Sequence, residues 1–220
     1  MFEQNIYLYW HDNNIPPEII LNVQKIQRFN PEFNVQICGD YKINTYKDKY
    51  PDLIDLYNKI SIYAIKSDIA RCILLYENGG MWLDCHAVIF KHTVQTLYDK
   101  YIDYDFCITI FKDNLKTSCL LSSKNCLLLN HVLVDMENHL KHHYNKEIET
   151  DDYIQYNAFK LTGAPLFANR LNTMGYEHYK SCIVNMTGLV KFYACNRNHH
   201  HGENIHKHWS KLQKTQKLFL

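Results

Sequence analysis

The segment SDIARCILLYENGGMWLDCH, residues 67–86, constrains the fold of this chain more than any other. Apolar residues at helical spacing predict a helix that ends at Gly79-Gly80, because glycine tolerates the positive φ of a helix-to-strand reversal. A short apolar strand follows and ends at Asp84 and His86. Ligands bind at the carboxyl ends of the strands in open α/β sheets. These two side chains are therefore predicted to lie at a binding site.

The pattern along the rest of the chain predicts one α/β domain with a mixed sheet flanked by helices. Residues 5–10 and 34–38 are predicted strands, and residues 17–29 between them form an amphipathic helix, so the two strands should pair in parallel. Further helices are predicted over 46–58, 61–77, 126–144, 153–160 and 164–172, and further strands over 81–84, 86–90, 105–110, 118–122, 182–185 and 189–194. We expect residues 1–196 to form the domain. Residues 197–220 then form a tail, rich in His and Lys, that can fold over the active site.

Composition excludes several classes of protein. The net charge of +1, from 24 basic and 23 acidic side chains, argues against nucleic acid as the main partner. None of the eight cysteines forms a C-x-x-C pair, which argues against a zinc ribbon. No apolar run reaches the roughly 20 residues that a transmembrane helix needs, and the polar N-terminus lacks a signal-peptide pattern. We expect a reducing, cytoplasmic compartment.

The pair Asp84 and His86, next to a guanidinium, suits a divalent cation that neutralises a phosphorylated substrate. Mn²⁺ accepts imidazole as well as oxygen ligands, so the pair favours Mn²⁺, with Mg²⁺ as the other choice. The alternative is that Asp84 is an ordinary turn residue beside an incidental histidine.

Asp68 and Arg71 are three residues apart and therefore share one helix face. Their neighbours are apolar, and a partly buried arginine needs an anion such as a carboxylate or phosphate. A simple surface ion pair is the alternative. Asp40, after the second strand, is either a ligand for a base or ribose or an ordinary turn residue.

These residues also carry a family resemblance. The segment SDIAR…LLYENGGMWLDCH resembles the nucleotide-sugar site of GT-A glycosyltransferases, above all family 32 and the capsular polysaccharide synthesis proteins. Their pattern is S-D-x-x-R followed by G-G-x-[YW]-x-D-x-D, and this chain matches it up to Asp84 but has His86 at the second Asp. The Asp-x-His ending resembles that of the polypeptide N-acetylgalactosaminyltransferases. The opening YLYWHDNNIPPE, the TGAP at 162–165 and the HWSKL near the end resemble further parts of these families.

The resemblance implies a role for each candidate residue. Asp68 would contact donor sugar hydroxyls, Arg71 the sugar and diphosphate, and Ser67 the ribose. Trp10 would stack on the base, with a core position as the alternative. The tail would complete the metal shell or cover the diphosphate through His206, His208 and Lys211, unless it is a solvated surface segment. The TGAP loop would border the acceptor.

Together these features predict a metal-dependent, retaining glycosyltransferase of the hexosyltransferase type. It would move a sugar from a nucleoside-diphosphate donor, above all a UDP-sugar, to a glycan hydroxyl during polysaccharide synthesis. Asp84, Asp68 and Arg71 are the predicted catalytic residues. The second hypothesis is a degenerate GT-A-like domain that binds nucleotide-sugar or glycan without turnover. A metal-dependent phosphohydrolase ranks last, because the sequence lacks the extra carboxylates that it needs near Asp84.

Overall fold

The computed structural model describes residues 2–11, 13–85, 87–89, 93–111, 113–185, 190–192 and 208–220. The strands are β1 Asn5–Tyr9, β2 Asn34–Cys38, β3 Gly80–Leu83, β4 Ala87–Ile89, β5 Phe106–Phe111, β6 Asn114–Ser122, β7 Ser181–Asn185 and β8 Val190–Phe192. The helices are α1 Pro17–Phe29, α2 Asp40–Asn44, α3 Pro51–Lys59, α4 Tyr63–Asn78, α5 Thr93–Lys100, α6 Leu127–Thr150, α7 Ala158–Thr162, α8 Ala164–Met174 and α9 Trp209–Leu212.

Six strands form a mixed sheet in the order β2-β1-β3-β6-β5-β7. β1 runs parallel to both β2 and β3, whereas β6 is antiparallel to its neighbours β3 and β5. β4 and β8 form a separate antiparallel pair. Helices pack on both faces, which confirms the predicted α/β class and the predicted parallel pairing of the first two strands.

The double glycine positions β3 against β1. Gly79 and Gly80 have φ values of 63° and 111°, in the region that side chains disfavour. A Cβ on Gly80 would lie 2.4 Å from the carbonyl oxygen of Asn5, so only glycine permits this approach. The end of α4 and the start of β3 are thereby held at the centre of the sheet.

Alternation along the strands divides the core between the two faces. Tyr7 and Trp82 pack into a cluster with α3, α4 and α6, while Ile6 and Met81 pack into a second cluster with α1 and α5. All four are at most 3% exposed. The central strands are therefore covered on both sides, and functional side chains are confined to the strand ends.

Several predicted boundaries were wrong. Residues 46–58 are not one helix: α2 ends at Asn44, and α3 begins at Pro51, where the fixed φ of proline suits a first turn. Residues 153–157 are not helical, since α7 begins only at Ala158. The amphipathic pattern also did not predict α5.

α6 extends to Thr150, six residues beyond its predicted end, and the C-terminal segment explains why. Glu147 is 5% exposed, and its carboxylate accepts the backbone N–H groups of Leu218 and Phe219 at 2.9 and 3.1 Å. Ser61 N donates to the carbonyl of Leu218 at 2.8 Å. The end of the chain therefore packs against α6 and the connection between α3 and α4. The expected boundary at 196/197 lies outside the described residues.

In the described part of the chain, we find no helix that combines the length and the apolar character needed to cross a membrane.

Candidate active site

Five of the predicted site residues line one cavity of about 380 Å³, which we call the central cavity: Trp10, Ser67, Asp68, Arg71 and Asp84. The walls come from the end of β1, the middle of α4, the end of β3, part of β6, α7 and the start of α9. The cavity thus opens at the carboxyl ends of the parallel strands β1 and β3, where the sequence predicted a ligand.

Arg71 is the centre of the polar network in this cavity. Its side chain is 6% exposed, and Nη2 lies 3.1 Å from Asp68 Oδ1 and 3.4 Å from Asp84 Oδ1. Nη1 donates to the backbone carbonyl of Thr117 at 2.7 Å. One guanidinium therefore serves two carboxylates, and the pair is more than a surface ion pair.

Asp84 keeps half of its carboxylate uncommitted. Trp82 Nε1 donates to Asp84 Oδ1 at 3.0 Å, on the same oxygen that faces Arg71. Among the described residues, no hydrogen bond reaches Oδ2, and the side chain is 36% exposed. Asp84 can therefore present one anionic oxygen to a ligand without losing its anchors.

Asp68 is more deeply enclosed, with 15% of its side chain exposed. Thr162 Oγ1 donates to its Oδ2 at 2.8 Å. Burial, with the charge of Asp84, raises the pKa of the Asp68 carboxyl, although Arg71 and Thr162 act in the opposite direction. Thr162 belongs to the TGAP segment, but the sequence did not indicate that it would hold Asp68.

Aromatic rings form a second wall of the cavity. His11 and Tyr63 stack with ring centroids 3.6 Å apart, and Trp10 lies 5.4 Å from His11. Tyr63 is 54% exposed at the mouth. These aromatic rings offer flat faces to a base or sugar ring. The sequence analysis named Trp10 but missed His11 and Tyr63, whose only signal was proximity to β1 and to Ser67.

Lys116 and Trp209 are further lining residues that the sequence analysis missed. β6 begins at Asn114, four residues before the predicted start, and this places Lys116 at the cavity. Within the described residues, Lys116 has no ion pair. Trp209 lies beside His208 in the HWSKL segment. The sequence analysis singled out this segment but assigned its role to His208 and Lys211.

Of the predicted tail residues, His208 and Lys211 lie among the described residues, and neither lines the central cavity. His208 caps α9, with Nδ1 accepting from Ser210 N at 3.2 Å, and Lys211 is exposed. His86 and His206 lie outside the described residues.

Asp40 does not line the cavity either, but it supports a residue that does. Tyr9 and Tyr57 each donate a hydroxyl to Asp40 Oδ1 at 2.5 Å, and Lys66 Nζ lies 2.9 Å from Oδ2. Burial opposes ionisation of the Asp40 carboxyl, but the three donors outweigh the effect of burial and lower the pKa of Asp40. Tyr9, at the end of β1, is thereby fixed in the cavity wall.

Within the residues that the structure describes, Asp84 offers a divalent cation one uncommitted oxygen ligand. No cluster of three or more His, Cys, Asp or Glu side chains occurs within the described ranges. Asp84 nevertheless fits such an ion, because Oδ2 is anionic, accessible and uncommitted. A shell completed by substrate phosphates needs few protein ligands.

Comparison with known proteins gives a consistent result. The sequence profile of the capsular polysaccharide synthesis protein family matches residues 1–162. An O-glycosyltransferase, braB, of Annulohypoxylon truncatum is 22% identical over 113 residues, which is 46% of this chain and 27% of that protein. The uncharacterized glycosyltransferase L373 of Acanthamoeba polyphaga mimivirus is 31% identical over 81 residues, 36% of this chain and 32% of that protein. The chain thus spans about a third or less of the length of either relative.

Two solved structures share the fold. The PaToxG glycosyltransferase superposes with a TM-score of 0.57 at 17% identity, covering 78% of this chain and 68% of that one. The ligand-free glycosyltransferase domain of the YGT toxin gives a TM-score of 0.58 at 9% identity, covering 90% and 82%. The arrangement of sheet and helices is therefore that of glycosyltransferase domains.

Proposed function

The chain belongs to the capsular polysaccharide synthesis protein family, and we propose that it transfers a sugar from a nucleoside-diphosphate donor to a glycan hydroxyl. One observation carries this proposal: Asp68, Arg71 and Asp84 meet in one cavity at the carboxyl end of β3. An acidic pair bridged by a buried guanidinium suits a substrate that has both hydroxyl groups and phosphate charge.

The diphosphate of the donor has two candidate cations. Arg71 is held in place by its contact with Thr117, so its positive charge is fixed at the wall of the cavity. Lys116 lines the same cavity and adds a second positive charge. As the bond between the anomeric carbon and the diphosphate breaks, these cations stabilise the departing negative charge.

Asp84 Oδ2, together with His86 as the sequence suggests, would hold Mn²⁺ or Mg²⁺. Such an ion would supply additional neutralisation of the diphosphate charge. The chain itself provides the orientation, because Trp82 and Arg71 fix the other oxygen of Asp84.

The remaining groups would position the donor. Trp10 would stack on the base, uracil being the favoured one, and the rings of His11 and Tyr63 extend the same surface. Asp68 would accept hydrogen bonds from sugar hydroxyls, while Ser67 would lie near the ribose. The acceptor hydroxyl would bond to the anomeric carbon as the bond from that carbon to the diphosphate breaks, and its proton would pass to the departing diphosphate. By family resemblance the configuration would be retained, and we assign no catalytic base.

We assign the reaction to the cytoplasm, in agreement with the free thiols of the seven described cysteines.

The second candidate is a domain that binds nucleotide-sugar or glycan without turnover. It is favoured by the absence of a three-ligand cluster among the described residues. It predicts donor binding without any breakdown of the donor.

The test is a thermal-shift screen of UDP-, GDP-, dTDP- and CMP-sugars, each with and without Mn²⁺. Donor binding raises the midpoint temperature of thermal unfolding by mass action. We expect a Mn²⁺-dependent shift with UDP-sugars, followed by slow release of free sugar. A shift without sugar release, with glycan acceptors present, supports the non-catalytic alternative. No shift with any donor contradicts sugar transfer and nucleotide-sugar binding; only a shift with glycan acceptors would then support the second candidate.

A further inference from the structure

A second cavity of about 820 Å³, which we call the lateral cavity, lies beside the central cavity. The two share their walls. α7 contributes Phe159 to the central cavity and Lys160 to the lateral one, and the C-terminal segment contributes Trp209 to the first and Lys214 to the second. One short helix and one segment thus separate the cavities, a span on the order of one helix diameter, about 10 Å.

Two amide side chains that line the lateral cavity, those of Asn157 and Gln213, have already used their oxygens. Asn157 Oδ1 accepts from the backbone N–H of Lys160 at 3.1 Å, and Gln213 Oε1 accepts from the N–H of Ala158 at 2.9 Å. Within the residues that the structure describes, neither amide nitrogen has a partner. What these two side chains still offer a ligand is therefore hydrogen-bond donation.

The tyrosines of the lateral cavity contribute ring surface, and its lysines contribute positive charge. Tyr153 and Tyr156 donate their hydroxyl hydrogens to the carbonyls of Gln213 and Gln216, at 2.7 and 3.2 Å, so they contribute mainly ring surface. Lys160 and Lys214 are exposed and have no ion pair in the described part of the chain.

No carboxylate is found among the described residues that line the lateral cavity. The cavity therefore combines two cations, uncommitted amide donors and two aromatic rings.

We propose that the lateral cavity binds an acidic stretch of the glycan acceptor, that is, sugar units that carry carboxylates. Such a ligand supplies acceptor oxygens for the amide donors, negative charge for the two lysines and C–H faces for the tyrosine rings. This inference rests on the proposed transfer to a glycan, and it deepens it by naming the acceptor class. A chain leaving the central cavity across α7 would reach this site.

The test measures the binding of tetragalacturonate to the full chain by calorimetry at low salt, with maltotetraose as the uncharged probe. We expect tetragalacturonate to bind and maltotetraose to bind at least tenfold more weakly. The double variant Lys160→Gln/Lys214→Gln should weaken tetragalacturonate binding at least tenfold. Lys25→Gln/Lys124→Gln, which removes two exposed lysines elsewhere, should stay within twofold of the wild type.

Asn157→Asp provides a second variant that preserves the fold. A carboxylate oxygen still caps α7, but the amide donor is replaced by negative charge, so tetragalacturonate binding should fall. Equal binding of both saccharides, or unchanged binding in Lys160→Gln/Lys214→Gln, overturns the inference. Polyglutamate binding as tightly as tetragalacturonate also overturns it, because the site would then recognise charge alone.

A measurement of donor binding distinguishes a failure of this inference from a failure of the proposed function. The UDP-sugar thermal shift is measured on the same variants and should be unchanged, since neither lysine lines the central cavity. A donor shift without tetragalacturonate binding removes the acidic-acceptor site but leaves the transferase proposal intact. Tetragalacturonate binding without any donor shift supports the site and removes sugar transfer.

Discussion

Two carboxylate networks lie close together in this fold, and they are completed to different degrees. Asp40 receives two tyrosine hydroxyls and a lysine, so both of its oxygens have partners. Asp68 and Asp84 instead share one guanidinium.

This difference distinguishes a carboxylate that supports the fold from carboxylates that can act on a ligand. A saturated carboxylate stabilises its surroundings, and at Asp40 the donors lower the pKa. The shared guanidinium leaves Asp84 Oδ2 without a partner among the described residues, and burial raises the pKa of Asp68. An incompletely satisfied network is the one that gains most from a bound ligand.

The largest effect is expected from Asp84→Asn. Loss of the negative charge should reduce donor breakdown by about a thousandfold, equal to about 4 kcal/mol of transition-state stabilisation. The amide still accepts from Trp82, so the melting temperature should stay within a few degrees. The measurement is sugar release from UDP-sugar with Mn²⁺. Activity that survives would show that the uncommitted oxygen has no role in the reaction.

A smaller effect is expected from Arg71→Lys. An ammonium group cannot reproduce the fork that reaches Asp68, Asp84 and Thr117 at once. Donor affinity should fall by about tenfold to a hundredfold, or about 1.4 to 2.8 kcal/mol, measured by titration of donor against thermal stability. Arg28→Lys, at an exposed position on α1, is the control for the same exchange of side chains. Unchanged affinity would assign Arg71 a purely structural role.

Asp40→Asn should affect stability rather than turnover. It leaves Lys66, 9% exposed, without its anion and should cost about 2 kcal/mol in the free energy of unfolding, less than for a fully buried pair because Asp40 is 31% exposed. The matched change Asp68→Asn should cost nothing or stabilise the fold, because a raised pKa means that the charge opposes folding at neutral pH. Urea unfolding of both variants at pH 7 tests the contrast.

The pH dependence of Asp40→Asn has a definite sign. Because the native pKa of Asp40 is lowered, its contribution is present above the ordinary carboxyl pKa and is lost as the pH falls through the native value. The difference in the free energy of unfolding between wild type and Asp40→Asn should therefore narrow on acidification. A difference that widens would contradict the lowered pKa of Asp40.

The smallest effect is expected from Tyr57→Phe. It removes one of the two hydroxyls that reach Asp40 and should cost about 1 kcal/mol of stability, seen in urea unfolding. Tyr63→Phe, at an exposed ring, is the control and should cost much less. Equal losses would mean that the hydroxyl at Asp40 contributes nothing specific.

The sequence predicted the parts of this fold that follow from local pattern. Helix 17–29 and strand 34–38 agree with the structure residue by residue, and α4 through β3 agrees within two residues. Apolar periodicity and the double glycine determine these elements, and they place Asp68, Arg71 and Asp84 together. The grouping of these residues in one cavity could therefore be anticipated from one motif.

The parts of the fold and of the site that were not predicted depend on contacts between distant parts of the chain. The extra turns of α6 are stabilised by a C-terminal segment about seventy positions away, through Glu147. Thr162 reaches Asp68 across 94 positions, and Lys116 enters the cavity only because β6 begins early. No local periodicity contains this information, so the contributions of Thr162 and Lys116 to the cavity could not be predicted.

The tight turn between α4 and β3 also affects how mutational tolerance is interpreted. Gly80 has no functional group, yet any side chain there would collide with the backbone of Asn5. A saturation screen for activity would therefore score Gly80 as intolerant as Asp84. Only a parallel screen for folded protein would separate them, since Gly80 variants would disappear from the folded pool while Asp84 variants would remain in it.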